Sequence, residues 1–151
     1  MVNYKELRIT KLKEYLYNIV MNINKETKEV NANALSKNIN SYSLDRMPVE
    51  AEVQRWVDGT TIERDVYTFR SRCAYSYKEI DNLLNVGFFE IFEETIKKNN
   101  ENKILPDILG IESIECLNCG TLMDAENGTA EFNIQIQITY KEETGGMSLW
   151  K

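Results

Sequence analysis

The chain predicts an α+β domain, a mainly antiparallel sheet from two β-hairpins packed against two α-helices. Three observations lead there. Two segments repeat their apolar residues at three-and-four spacing, as a helix does when it buries one stripe. Two others alternate with a two-residue period on either side of turn residues, as paired antiparallel strands do. The order along the chain is helix, hairpin, helix, hairpin, with no strand–helix–strand crossover rhythm. The 151 residues match the ordinary size of a single domain. We expect one domain over residues 1–143 and a flexible tail over 144–151.

From Tyr4 to Ile23 the positions Leu12, Tyr15, Leu16, Ile19, Val20 and Ile23 share one helical stripe. Residues 24–40 are rich in Asn and Lys with weak periodicity, so they read as a loop with room for one short strand. The segment Ser41–Pro48 reads as extended, because Pro48 pushes Met47 toward β or polyproline geometry.

Val49 to Cys73 reads as the first hairpin, turning at Asp58-Gly59. Simple alternation puts Val49, Ala51, Val53 and Val57 on one face and Glu50, Glu52, Gln54 and Trp56 on the other. Trp56 then stands on a charged face, and Arg55 interrupts the apolar set near the tip. The outer half of the hairpin reads as a projecting arm. Arg64, Arg70 and Arg72 share one face of the return strand and read as solvated.

Ile80, Leu83, Leu84, Phe88, Ile91, Phe92 and Ile96 mark a second helix over about residues 78–99, ending before Pro106. The second hairpin runs out through Gly110–Asp124, turns at Glu126-Asn127-Gly128 and returns as TAEFNIQIQITYKE. In that return strand Phe132, Ile134, Ile136, Ile138 and Tyr140 face one side, while Asn133, Gln135, Gln137 and Thr139 face the other. The tail begins at Gly145-Gly146 and carries Met147, Leu149 and Trp150, apolar residues that await a partner.

Composition narrows the function. A net charge of −6 and a pI near 4.8 disfavour a phosphate-holding surface and sequence-specific DNA binding. The N-terminus mixes charges through its apolar residues, unlike a signal peptide, and no segment reaches the roughly twenty apolar residues of a membrane span. A cytoplasmic site of synthesis follows. The chain has no histidine, so His-based triads and the commonest zinc ligand are excluded, and it has no glycine-rich phosphate loop. No cofactor is expected.

Cys116 and Cys119 have the spacing of half a zinc site, but only Cys73 remains to offer sulfur. In a regular strand that odd spacing also sends the two sulfurs to opposite faces. All three read as buried, inert thiols. The carboxylates Glu50, Glu52, Glu63, Asp65, Glu90, Glu93 and Glu94 could hold a divalent metal or hydrolyse a bond, yet they fall where an acidic protein keeps its solvated charge. A non-enzymatic role is expected, with a small carboxylate- or metal-dependent enzyme as the contrary reading.

NSYSLDRMP, the WVDGT turn, the GFFEIFEETIKKNN helix with LPDI after it, and the strand TAEFNIQIQITYKE together resemble the small tail terminator proteins of bacteriophages and phage-derived tail particles. The likeness covers about residues 40–143. It implies an α+β subunit of a six-membered ring that caps the head-proximal end of a tail tube, stops its polymerisation and presents a docking face to the head. The implied partners are further copies of the chain, the tail tube protein and head-completion, collar or sheath proteins, with DNA only as passing cargo and no membrane. The implied location is the tail of a virion or phage-like particle, and another connector, completion or minor tail protein is the neighbouring alternative. A ring subunit needs two different complementary patches. The candidate partner-binding residues are Arg55, Trp56, Asp58, Gly59, Thr60 and Glu63 on the arm, and Met147, Leu149 and Trp150 in the tail.

Overall fold

The computed structural model of the chain describes residues 3–75, 79–126 and 128–142. Within them the fold is α+β, with two α-helices and one seven-stranded sheet that is antiparallel except for one pair. The strands are β1 (Glu29–Ala32), β2 (Ser41–Met47), β3 (Glu52–Arg55), β4 (Thr61–Ala74), β5 (Ile111–Cys116), β6 (Thr121–Glu126) and β7 (Thr129–Glu142). The main order is β1-β2-β4-β7-β5, with β3 on the β2 side of β4 and β6 beside β7. The helices are α1 (Arg8–Ile23) and α2 (Glu79–Glu101).

The sheet is built on β4 and β7, which pair residue for residue from Thr61 opposite Glu142 to Ala74 opposite Thr129. The unbroken alternation of β7 produces this: Ala130, Phe132, Ile134, Ile136, Ile138 and Tyr140 are all buried, and the intervening residues are not. Leu12, Leu16, Ile19 and Val20 of α1 and Phe89, Phe92 and Ile96 of α2 join the same core, so both helices cover one face of the sheet. Phe69 stacks at 5.3 Å between Tyr42 and Phe92, tying β2, β4 and α2 together.

Several sequence expectations are corrected. The first helix is a short 3-10 turn (Tyr4–Glu6) followed by α1 from Arg8, because Leu7 in extended geometry separates them and supplies no side-chain cap. The short strand for which residues 24–40 left room is β1, and it pairs in parallel with β2. Only residues 33–40 connect the two, and Asn33 (φ 53°) and Asn40 (φ 62°) take left-handed backbone at either end of that reversal.

The outgoing limb of the second hairpin is not one strand. It breaks at residues 117–120, where the Asn118 side chain accepts the Gln135 N–H at 2.8 Å in place of a strand carbonyl. The predicted turn residue Asn127 and the tail, including Met147, Leu149 and Trp150, lie outside the described residues. No helix among the described residues is long and apolar enough to cross a membrane.

Candidate functional site

The arm is a tight turn held by its own backbone. Gly59 N–H donates to the Trp56 carbonyl at 3.0 Å, and Trp56 N–H donates to the Thr60 carbonyl at 2.8 Å. Gly59 has φ 89°, a left-handed conformation that a Cβ would strain. Asp58 closes the loop by accepting the Thr60 N–H at 2.9 Å, and that hydrogen bond holds its carboxyl below the usual range. The residues of WVDGT thus have local structural reasons for their order. Thr60 is buried, and Arg55 is ion-paired with Glu52.

Two expectations about this arm fail. The predicted inward valines do not face the core: Val49 and Val53 are exposed, and Val57 is fully so. β3 is a four-residue edge strand beyond the reach of either helix's core stripe, so neither of its sides is covered. Nor do Glu50, Glu52, Gln54 and Trp56 share one face. A register slip sets Glu52 opposite Glu63 but Gln54 opposite Ile62, and these neighbours on β4 point to opposite sides. Trp56 is 42% exposed, with the ammonium of Lys141 lying 5.7 Å from its ring centre.

Beside the arm lies a charged cluster that sequence reasoning missed. Asp65 is 1% exposed and accepts four hydrogen bonds: from Arg8 Nε (2.7 Å), Arg46 Nη2 (3.1 Å), Tyr67 Oη (3.1 Å) and Tyr140 Oη (3.2 Å). Burial, and then the adjacent carboxylate, push both phenols up, so they remain donors. Burial opposes the Arg8 charge, and the Asp65 contacts more than offset it. Arg8 also lies 4.5 Å over the Tyr140 ring. The available signal was an acid at an inward position of β4, two residues before Tyr67. The cluster fastens the start of α1 to the sheet.

Glu63, an arm candidate, accepts from Thr61 Oγ1 at 3.1 Å and pairs with the Glu142 carboxyl. Hydrogen bonding to Glu63, then burial, raises the Glu142 pKa. Arg70 is not solvated as expected: it bridges Asp45 (2.9 Å) and Glu131 (3.0 Å) across three strands. Arg64 donates to the Glu50 carbonyl at 3.0 Å. Neither arginine is a free basic site.

The cysteines are free, and two of them are partly buried as expected. Cys119 is exposed, because the break at residues 117–120 takes it off the strand. Burial pushes Cys116 up to about 12 and raises Cys73 as well, leaving little thiolate at neutral pH. Cys116 lines an open groove between α2 and β5 with Glu93, Asn100 and Ile114. Among the described residues no group of three or more acids and thiols is placed to hold a metal ion. No protein family matches this chain, and no curated protein matches it in sequence.

Proposed function

We propose that this protein is a ring-forming tail terminator: copies of it close on the head-proximal end of a phage or phage-like tail tube, end its polymerisation and offer the face on which the head docks. The observation that carries the reading is the arm. A half-exposed Trp56, flanked by exposed Val53 and Val57, stands at the end of a rigid turn where the subunit's own core does not reach. Rigid aromatic anchors of this kind dominate the energetics of protein interfaces. The resemblance over about residues 40–143 is what favours a neighbouring subunit or the tube as the partner.

The remaining features are compatible with that role. Two-hairpin organisation, with β3 against β4 and β6 against β7, leaves a different free edge on each side of the sheet, and a ring requires two different patches. An acidic channel wall lets DNA pass without adhering.

The test is Trp56→Ala. The exposed part of the ring is roughly 100 Å² of a side chain of about 250 Å², which at about 25 cal/mol per Å² supplies about 2.5 kcal/mol to a partner. The variant should assemble or cap tubes about 50-fold more weakly, and electron micrographs should show tails of uncontrolled length. Its isolated subunit should lose about 2–3 kcal/mol, from the roughly 150 Å² of the ring already packed on the chain. Tails of normal length would overturn the proposal.

A further inference from the structure

The charge of the protein is polarised along the strand order of its sheet. Residues 1–48, which form α1, β1 and β2, carry eight Lys and Arg against five Asp and Glu. Residues 79–126, which form α2, β5 and β6, carry three against eleven. The strands of these two groups, β1–β2 and β5–β6, flank the central β4–β7 pair on opposite sides. At the edges themselves, residues 24–40 around β1 carry Lys25, Lys28 and Lys37 against Glu26 and Glu29, whereas residues 111–126 of β5 and β6 carry four acids and no Lys or Arg.

The charges that express this asymmetry are exposed. Lys25, Lys28 and Lys37 flank β1, while Glu112 and Glu115 lie on β5 and Asp124 on β6; all six are exposed, and none has an ion-pair partner among the described residues. Of the six, only Glu115 has a side-chain hydrogen bond among the described residues, accepted from Gln137 at 2.9 Å. Asp45, Asp65 and Glu131, by contrast, are paired with Arg70, Arg8 and Arg46. Both edges also end in strands with one neighbour among the described residues: β1 pairs with β2, and β6 with β7. β6 contains neither lysine nor proline, the usual protections of an edge, and it exposes Leu122 and Met123. An apolar centre bordered by unpaired charge is the make-up of a protein interface.

We propose that the occupant of each edge is a second copy of this chain, joined head to tail: the acidic β5–β6 edge of one subunit docks against the basic β1 edge of the next. This assignment deepens the ring reading and rests on it. The two edges are different surfaces of one subunit, so their contact is heterologous and repeats around a closed ring. Opposite charges select this pairing, because joining two like edges would set lysines against lysines or carboxylates against carboxylates. The contact is salt-sensitive, since its charges are solvent-exposed in the free subunit.

The experiment uses two triple variants of the full chain. Lys25→Glu/Lys28→Glu/Lys37→Glu makes both edges acidic; Glu112→Lys/Glu115→Lys/Asp124→Lys makes both basic. Each variant alone should sediment as a monomer at concentrations where the native chain assembles, with self-association weakened about 30-fold or more. An equimolar mixture should regain assembly, because every junction between the two variants again joins acid to base, and the regained rings should alternate the two chains. Raising salt from about 0.1 to about 1 M should weaken native assembly as the screening length falls from about 10 to about 3 Å.

Variants that assemble like the native chain would overturn the edge assignment and leave the ring reading standing. Monomeric variants whose mixture stays monomeric would overturn head-to-tail pairing. A native chain that stays monomeric at every concentration would also overturn this inference, and the ring reading fails separately if the native chain never caps tubes. Thermal melts establish that each variant is folded. If one is not, the salt titration of the native chain decides, and assembly unaffected by salt refutes the proposal.

Discussion

Asp65→Ala removes the acceptor of four hydrogen bonds at once, and the environment of each donor determines its cost. Arg46 is 54% exposed and regains water, so it contributes little. Arg8 keeps only a fifth of its side chain in solvent and loses a close charged partner. The hydroxyls of Tyr67 and Tyr140 are the expensive groups, because both residues are buried and have no alternative acceptor in the cluster. A buried donor left unsatisfied costs about 1–3 kcal/mol, which brings the total to about 4 kcal/mol once Arg8 is included.

In a chain of this length that is a fall of about 8–15 °C in melting temperature. Asp65→Asn keeps one oxygen acceptor but loses the charge, and should cost about half as much. Urea titration followed by circular dichroism measures both. A loss below about 1 kcal/mol for the alanine variant, or an asparagine variant as damaged as the alanine one, would refute this account of the cluster.

Three more outcomes are expected. Glu142 has a raised folded pKa, so the proton it binds stabilises the fold fully below the ordinary Glu value and the contribution is lost as pH rises through the folded one. Glu142→Gln should therefore leave the melting temperature unchanged near about pH 3.5 and raise stability by a few tenths of a kcal/mol near neutrality; equal effects at both pH values would contradict the raised pKa of Glu142. A Cβ at Gly120 would clash with the ring of Phe89, which is buried against Phe88 and Phe132, so Gly120→Ala should cost about 1–3 kcal/mol in a chemical melt. Exposed Cys119 should react with iodoacetamide well before Cys116, whose thiol is pushed up to about 12; equal rates by mass spectrometry would show that Cys116 is not held as described.

The parts of the fold legible in the sequence are those where one strong period acts alone. β7 alternates without a fault and α1 carries a long apolar stripe, so their buried sides follow from their residues, whereas in α2 Leu84 and Ile91 of the expected stripe are exposed and Phe89, outside it, is buried with Phe92 and Ile96. The parallel pairing of β1 was not legible, since four residues with one buried valine do not distinguish parallel from antiparallel neighbours. The break between β5 and β6 depends on the Asn118 side chain standing in for backbone, which periodicity does not register. In the arm, the bulge between Glu52 and Gln54 reversed the facing of half the strand, and the absence of a covering element left the valines in solvent. The residues around Asp65 come from α1, β2, β4 and β7, and only the folded chain brings them together.

The long β4–β7 zipper also governs how the protein reaches its native state. Its fourteen pairs join residues that lie more than fifty positions apart in the chain, with α2, β5 and β6 between them. Most of the loop-closure entropy must be spent before the central ladder returns any stabilisation, which places the domain among slow folders with a non-local transition state. During synthesis β4 emerges well before its partner and waits with one hydrogen-bonding side open. Over that interval Phe69 and Tyr67 have only α1, β2 and the forming α2 to shelter them, so the nascent chain is most prone to aggregate before the last strand arrives.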